Sequence, residues 1–177
     1  MAALLLTGIP GIGKTTIIRK VAASLSGYTL AGFVTDEIRT EQGREGFRLT
    51  TFDGSKAVIA HVDFQTRRRV GRYRVDVQTI DCLVQSALRL ERNIEVYLVD
   101  EIGKMECLSK VFVDCMRSVL DSGIPVVAAV AKKGEGFISE VKRRGDTVIW
   151  EVTRQNRDAL PDSILVWING KLERLAE

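Results

Sequence analysis

At 177 residues the chain is long enough for one domain with one sizeable core, and 45% apolar with 28% charged residues is ordinary for a soluble globular protein. A formal charge of +3, from 26 basic and 23 acidic residues, is too small an excess to call for a nucleic-acid partner by itself. No run approaches the roughly 20 consecutive apolar residues of a membrane span, so no membrane partner is expected. The apolar opening Met1-Ala2-Ala3-Leu4-Leu5-Leu6 has no basic leader and breaks at once into Thr7-Gly8-Ile9-Pro10, which points to a first buried strand and a cytoplasmic protein. Cys82, Cys107 and Cys115 are odd in number and never spaced C-x-x-C; they read as buried thiols, not as a disulfide framework or a zinc site. The single His61 reads as a strand or loop imidazole.

In chain order, residues 2–7 form a short apolar run that fits a buried strand, and residues 8–13 a glycine-punctuated loop. From Lys14 a helix is expected, because Ile17, Ile18, Val21, Ala22 and Leu25 recur at helical spacing; Gly27 suits its stop. Residues 29–35, 46–52 and 56–62 read as three strands, with Asp53-Gly54 marking a hairpin between the last two. Helical spacing returns at Ile80, Leu83, Val84, Ala87 and Leu88. Residues 94–99 form a strand that closes in Asp100-Glu101, and Phe112, Cys115, Met116, Val119 and Leu120 define a further helix. Residues 124–130 lack alternation and read as a strand buried on both faces. A short helix over 137–144 leads to a strand over 147–152. Ile164, Leu165, Ile168, Leu172 and Leu175 mark a closing helix, with Pro161 in its first turn. Trp150 and Trp167 fall in these patterns as core residues. No repeat, linker or low-complexity segment interrupts the chain, so residues 1–177 read as one domain.

Gly8-Ile9-Pro10-Gly11-Ile12-Gly13-Lys14-Thr15 is a full G-x-x-x-x-G-K-[ST] match set between a strand and a helix. A loop that wraps a polyphosphate must turn successive N–H groups inward, and Gly8, Gly11 and Gly13 permit that approach. The helix from Lys14 aims its N-terminal amides at the phosphates. Lys14 supplies a mobile cation, Thr15 offers a hydroxyl to Mg²⁺, and Thr16 completes the nucleotide-binding run. Asp100, at the end of its strand, is expected to face Thr15 and hold the same magnesium ion. Glu101 reaches further out, where a carboxylate can orient and deprotonate an attacking water. The fold class that follows is α/β, a P-loop NTPase of RecA/AAA-like kind. Its sheet is mostly parallel with helices on both faces, and an antiparallel hairpin segment is inserted at one edge or over the nucleotide.

Beyond these general motifs the chain resembles the small nucleoside triphosphatases of the THEP type, found in thermophilic microbes and, in animals, as the cancer-related nucleoside triphosphatase. The resemblance is carried in order by Gly32-Phe33-Val34-Thr35-Asp36-Glu37-Ile38-Arg39, Gly46-Phe47-Arg48-Leu49, Val70-Gly71-Arg72-Tyr73-Arg74-Val75, Asp100-Glu101-Ile102-Gly103-Lys104-Met105-Glu106 and Val152-Thr153-Arg154-Gln155-Asn156-Arg157-Asp158. Gln155 departs from a common glutamate and Cys107 from a usual leucine. The resemblance implies Mg²⁺-dependent hydrolysis of ATP, GTP and other nucleoside triphosphates with low base selectivity.

Lys104 is a candidate for stabilising transition-state charge, and Ile102, Gly103, Met105, Glu106 and Cys107 join it in the loop expected beside the γ-phosphate. Asn156 and Arg157 follow the last strand and are candidates for base contact. Arg39, Arg48, Arg72 and Arg74 are candidate arginine fingers, although arginines also cover sheet edges. Arg67-Arg68-Arg69 reads as a solvated turn or a small RNA-contacting patch. Two alternatives to hydrolysis stand: a nucleotide or nucleoside kinase, and an RNA-associated ATPase switch. Nucleoside triphosphates are the expected partners, and a monomer or weak oligomer the expected state.

Overall fold

The structure, a computed structural model, describes residues 3–176. The opening strand is β1, Ala3–Thr7; Met1 and Ala2, read above as its start, lie outside the described residues. It is followed by α1, Lys14–Ser24, and then by an antiparallel series: β2, Leu30–Thr40; β3, Gly43–Thr51; β4, Lys56–His61; β5, Arg69–Val70; and β6, Tyr73–Val75. Next come α2, Val77–Ala87, and β7, Val96–Ile102. A 3₁₀ turn over Glu106–Leu108 precedes α3, Lys110–Asp121. The chain closes with β8, Val126–Val130; α4, Phe137–Lys142; β9, Thr147–Glu151; and α5, Leu160–Ala176.

Among the described residues nine strands join one sheet in the order β5-β6-β4-β3-β2-β7-β8-β1-β9. The segment from β2 to β9 is parallel and carries the core; β3, β4, β6 and β5 extend it antiparallel beyond β2. β2 serves both halves. Its first residues, Leu30 to Phe33, pair in parallel with β7, while Phe33 onward pairs antiparallel with β3.

The parallel strands are apolar on both faces because helices cover both. Leu4 and Leu6 of β1 pack with Val96 and Leu98 of β7 against Ile17, Ile18 and Val21 of α1 and Ile164 and Ile168 of α5. Ala3 and Leu5 point the other way, with Tyr97 and Val99, toward Ile80 and Val84 of α2, Phe112 and Met116 of α3, and Phe137 of α4. Each fully buried side chain of this kind contributes about 1.5–3 kcal/mol. Asp76 caps α2 through the amide of Thr79 and Ser109 caps α3 through that of Phe112, which satisfies part of the orphan amides of each first turn.

Several sequence expectations are corrected. β2 runs to Thr40, five residues past its expected end, and turns directly into β3. β5 and β6 are strands for which the sequence gives no signal, and β5 begins at Arg69, the last residue of the expected Arg67–Arg69 turn. Trp150 and Trp167 are only half buried, because β9 is an edge strand and Trp167 lies at the rim of the α5 contact. None of the cysteines is fully buried: Cys82 is exposed, and Cys107 and Cys115 are half buried.

Candidate functional site

The phosphate loop joins β1 to α1. Gly13, the N-cap residue of α1, has φ 115°, a left-handed conformation that a side chain would disfavour. Unlike α2 and α3, α1 has no side-chain cap among the described residues, and its first turn carries no acidic residue. Its first amides therefore point, without a protein partner at their head, into a cleft of about 900 Å³. Gly8, Ile9, Pro10, Gly11, Gly13, Lys14, Thr15 and Thr16 line that cleft. Ile12 turns away into the core beneath, 6% exposed.

Across the cleft β7 delivers its acidic end. Asp100 is 3% exposed, and burial pushes its carboxyl up to about 6; the Thr15 hydroxyl beside it opposes the shift and the Glu101 charge adds to it. Its Oδ2 is buried with no hydrogen-bond partner among the described residues. A buried, unpartnered carboxylate oxygen next to a threonine hydroxyl at an uncapped helix start fits a hard divalent cation, and oxygen donors are what Mg²⁺ prefers. The Asp100 backbone carbonyl accepts a hydrogen bond from the Thr35 hydroxyl at 2.6 Å, tying the strand end to β2.

Glu101 reaches outward, one third exposed, and its Oε2 lies 3.5 Å from Lys14 Nζ. Lys14 also lies 3.5 Å from the Gly8 carbonyl and is only 9% exposed. Gly103 makes room for two carboxylates: a Cβ there would stand 2.7 Å from Glu106 Oε2 and 3.1 Å from Glu101 Oε1. Glu106 itself is buried, and that burial, with the Glu101 and Asp100 charges nearby, pushes its carboxyl up to about 8. It stands behind Glu101 as a largely protonated group at neutral pH.

The remaining sequence candidates divide. Gly103, Lys104, Met105 and Glu106 line the cleft, with Lys104 exposed. Ile102 is a fully buried core residue and Cys107 packs against the core, so neither reaches the cleft lining. Asn156 and Arg157 also lie off that lining. The Asn156 amide is spent on its own turn, accepting from the Thr153 amide at 2.8 Å and donating to the Glu151 carbonyl at 2.8 Å. The Arg157 side chain instead passes beside Gly13 of the phosphate loop. Of the candidate fingers only Arg39 lines the cleft. Arg48 is exposed elsewhere, Arg72 donates to the Arg44 carbonyl and Arg74 to the Thr66 carbonyl. Sequence reasoning missed Thr35, Asp36, Glu37, Arg44, Phe47 and Tyr73, all on the cleft wall. Strand pairing brings them there; all but Arg44 fall within the family-like blocks named above, and Arg44 has no sequence signal.

A nucleotide-wrapping loop after β1 and an acidic strand end on β7, both at the C-terminal edge of a parallel sheet, define a P-loop nucleotide-binding α/β protein. A family profile described as NTPase matches residues 3–165, and the chain belongs to that family. It is 37% identical over 163 residues to nucleoside-triphosphatase THEP1 of Thermotoga maritima, covering 92% of each chain. It is 38% identical over 181 residues to the mouse cancer-related nucleoside-triphosphatase homolog, covering 91% of this chain and 94% of that one. The crystal structure of THEP1 from Aquifex aeolicus superposes with a TM-score of 0.86 at 34% identity, over 94% of this chain and 98% of the other. The solution structure of a human cancer-related nucleoside triphosphatase does so at 0.80 and 32%, over 96% and 98%.

Proposed function

We propose that the chain is a Mg²⁺-dependent nucleoside triphosphate phosphohydrolase that converts a nucleoside triphosphate and water to the diphosphate and phosphate, with broad tolerance for the base. Membership of a nucleoside-triphosphatase family supports the reaction class. The observation that carries the reading is the convergence of Lys14, Thr15, Asp100 and Glu101 on one cleft at an uncapped helix start.

In this reading the free backbone N–H groups of the phosphate loop and of the start of α1, with the Lys14 ammonium, hold the β- and γ-phosphates. Thr15 and Asp100 would hold Mg²⁺, which would supply positive charge to offset that of the triphosphate. Glu101, drawn to Lys14, orients a water on the open side of the γ-phosphate and takes its proton. Lys104, exposed on the cleft rim, meets negative charge that grows on the γ-oxygens. The Asn156 amide, well suited to reading a base edge, is already engaged, so binding rests on the phosphates; that favours ATP, GTP, CTP and UTP alike.

The test follows free phosphate released from each of the four triphosphates, with and without added Mg²⁺, by wild type and Lys14→Ala. Comparable Mg²⁺-dependent release from all four, lost in a folded Lys14→Ala variant, is expected. Release that ignores Mg²⁺ or survives the substitution removes the assignment.

A further inference from the structure

The loop directly after β8 opens onto the same cleft through Ala131, Lys132 and Lys133. Its place is set by the strand order. β8 lies between β7 and β1, one strand spacing of about 4.8 Å from each, so its end falls between Asp100–Glu101 and the phosphate loop. The register sets its height. Ala129 stands opposite Leu6 of β1 and Val130 opposite Ile102 of β7, and the Ala131 amide donates to the Ile102 carbonyl at 3.2 Å. Residues 132 and 133 therefore leave the sheet at the height of the first phosphate-loop residues, just beyond Glu101. In an open parallel sheet this edge is where a ligand sits.

The loop is anchored at both ends. Lys142, in the last turn of α4, donates from Nζ to the Ala131 carbonyl at 2.5 Å and to the Lys132 carbonyl at 3.0 Å. It is half buried; burial lowers the pKa of its ammonium and the nearby Glu101 charge opposes that shift. Lys132 turns away to Glu151 at the end of β9, with 2.8 Å between Nζ and Oε1. Gly134 lies close on α4: a Cβ there would stand 2.6 Å from Ile138 Cδ1 and 3.0 Å from Ile138 Cβ. Lys133 sits between these anchors. It is exposed, lines the cleft and, among the described residues, has no carboxylate within 4.0 Å. Its two neighbours in the loop are fixed through their carbonyls, so the main chain from which its side chain springs is fixed as well.

We propose that Lys133 is a further catalytic cation, which contacts the γ-phosphoryl group during transfer, and that Lys142 is a positioning residue that sets the loop for it. This deepens the hydrolytic reading above and rests on it. The water oxygen bonds to the γ-phosphorus, the bond to the bridging oxygen breaks with its electron pair going to the diphosphate, and Glu101 takes the proton. Lys133 transfers nothing. It opposes charge on the phosphoryl oxygens, where a cation held in place lowers the barrier.

The experiment compares wild type with Lys133→Ala, Lys133→Arg, Lys142→Met and the Lys133→Ala/Lys142→Met double variant. It measures phosphate release from Mg²⁺–ATP, binding of ATP with an imido β,γ-bridge, and binding of ADP with aluminium fluoride, which imitates the phosphoryl group in transfer. Lys133→Ala is expected to lower kcat about 10²-fold, the usual cost of one transition-state donor. It should weaken the aluminium fluoride complex at least tenfold while affinity for the imido analogue stays within threefold. Lys133→Arg should recover most of the turnover. Lys142→Met should lower kcat with little change in KM, and the double variant should fall within threefold of Lys133→Ala, because both residues act through one contact. Lys133 is exposed and Met keeps the apolar stem of Lys142, so the variants should fold; should Lys142→Met not fold, Lys142→Gln takes its place with the same expectations. Turnover by Lys133→Ala within threefold of wild type, equal weakening of both complexes, or losses that multiply in the double variant overturn the proposal. A wild type without Mg²⁺-dependent release, or release that survives Lys14→Ala, fails the hydrolytic reading and this inference together. Release that needs Lys14 but is indifferent to Lys133 fails this inference alone.

Discussion

Glu101→Gln separates a catalytic carboxylate from a polar strand end. The change is nearly isosteric and the side chain is one third exposed, so the fold loses at most the Lys14 pairing at 3.5 Å. An ion pair open to solvent to that degree contributes about 0–1 kcal/mol. Catalysis should respond on another scale. A positioned general base contributes about 10²- to 10⁴-fold, equivalent to about 3–5 kcal/mol of barrier. Gln keeps the hydrogen bond that orients water but cannot accept its proton. Nucleotide affinity should hold or tighten slightly, because Lys14 loses an anionic neighbour that competes with phosphate. The assay pairs steady-state phosphate release with calorimetric binding of an ATP analogue whose β,γ-bridge is an imido group. A fall in kcat matched by kcat/KM, with binding retained, is the expected signature of a role confined to the transition state. Turnover within about threefold of wild type would refute the reasoning.

Asp100→Asn should shift the Mg²⁺ titration of activity to far higher concentration while binding of metal-free nucleotide changes little; an unchanged Mg²⁺ midpoint dismisses Asp100 as a ligand. Without nucleotide at pH 8 the same variant should melt no lower than wild type, since it removes a buried charge whose Oδ2 has no partner. Glu106 sets a pH dependence of stability. Its folded pKa of about 8 stands above the ordinary 4.5, so the folded state binds the extra proton. Stability is full below about 4.5 and declines as pH rises through about 8. Asp100 adds the same sign between 3.8 and about 6. Thermal midpoints of nucleotide-free wild type should therefore fall from pH 5 to pH 9, and Glu106→Gln should flatten the upper part of that curve. Parallel curves for the two proteins would show that Glu106 is not buried in its acid form.

The sequence was most legible where one physical demand acts alone. The phosphate loop needs glycines, a lysine and a hydroxyl in adjacent positions, so eight residues carried the reading. The parallel strands are apolar on both faces and stand out as uninterrupted runs. β2 past Thr35 was lost because Asp36, Glu37 and Arg39 belong to a cleft wall, and their charge hides the strand. β5 and β6, two and three residues long, are shorter than any periodicity can register. Glu106 read as a loop residue, since only the tertiary position of its 3₁₀ turn buries it behind Gly103. Ile12 and Ile102 were placed at the nucleotide by contiguity with their motifs, whereas the turn of the chain sends both side chains into the core. The edge-to-face pair of Phe47 and Tyr73 was invisible for a plainer reason: strand pairing across two hairpins brings the rings together, and no spacing in the chain encodes that.

The two halves of the sheet differ in when they can form. β2 to β6 are joined by short turns, and each antiparallel pairing closes a small loop that a growing chain can zip at once. β1 comes early in the chain, yet its neighbours are β8 and β9, with Ala3 opposite Val126 on one side and Thr147 on the other. Its ladder waits for more than a hundred intervening residues, and long-range pairing of this kind is slow. The phosphate loop hangs from β1, and the Thr7 carbonyl is held by the Val152 amide at 2.7 Å. A chain emerging from the ribosome thus presents its antiparallel wall well before it owns a nucleotide pocket. Nucleotide can stabilise only a nearly complete chain, so truncation after β8 should leave a protein that triphosphate does not rescue.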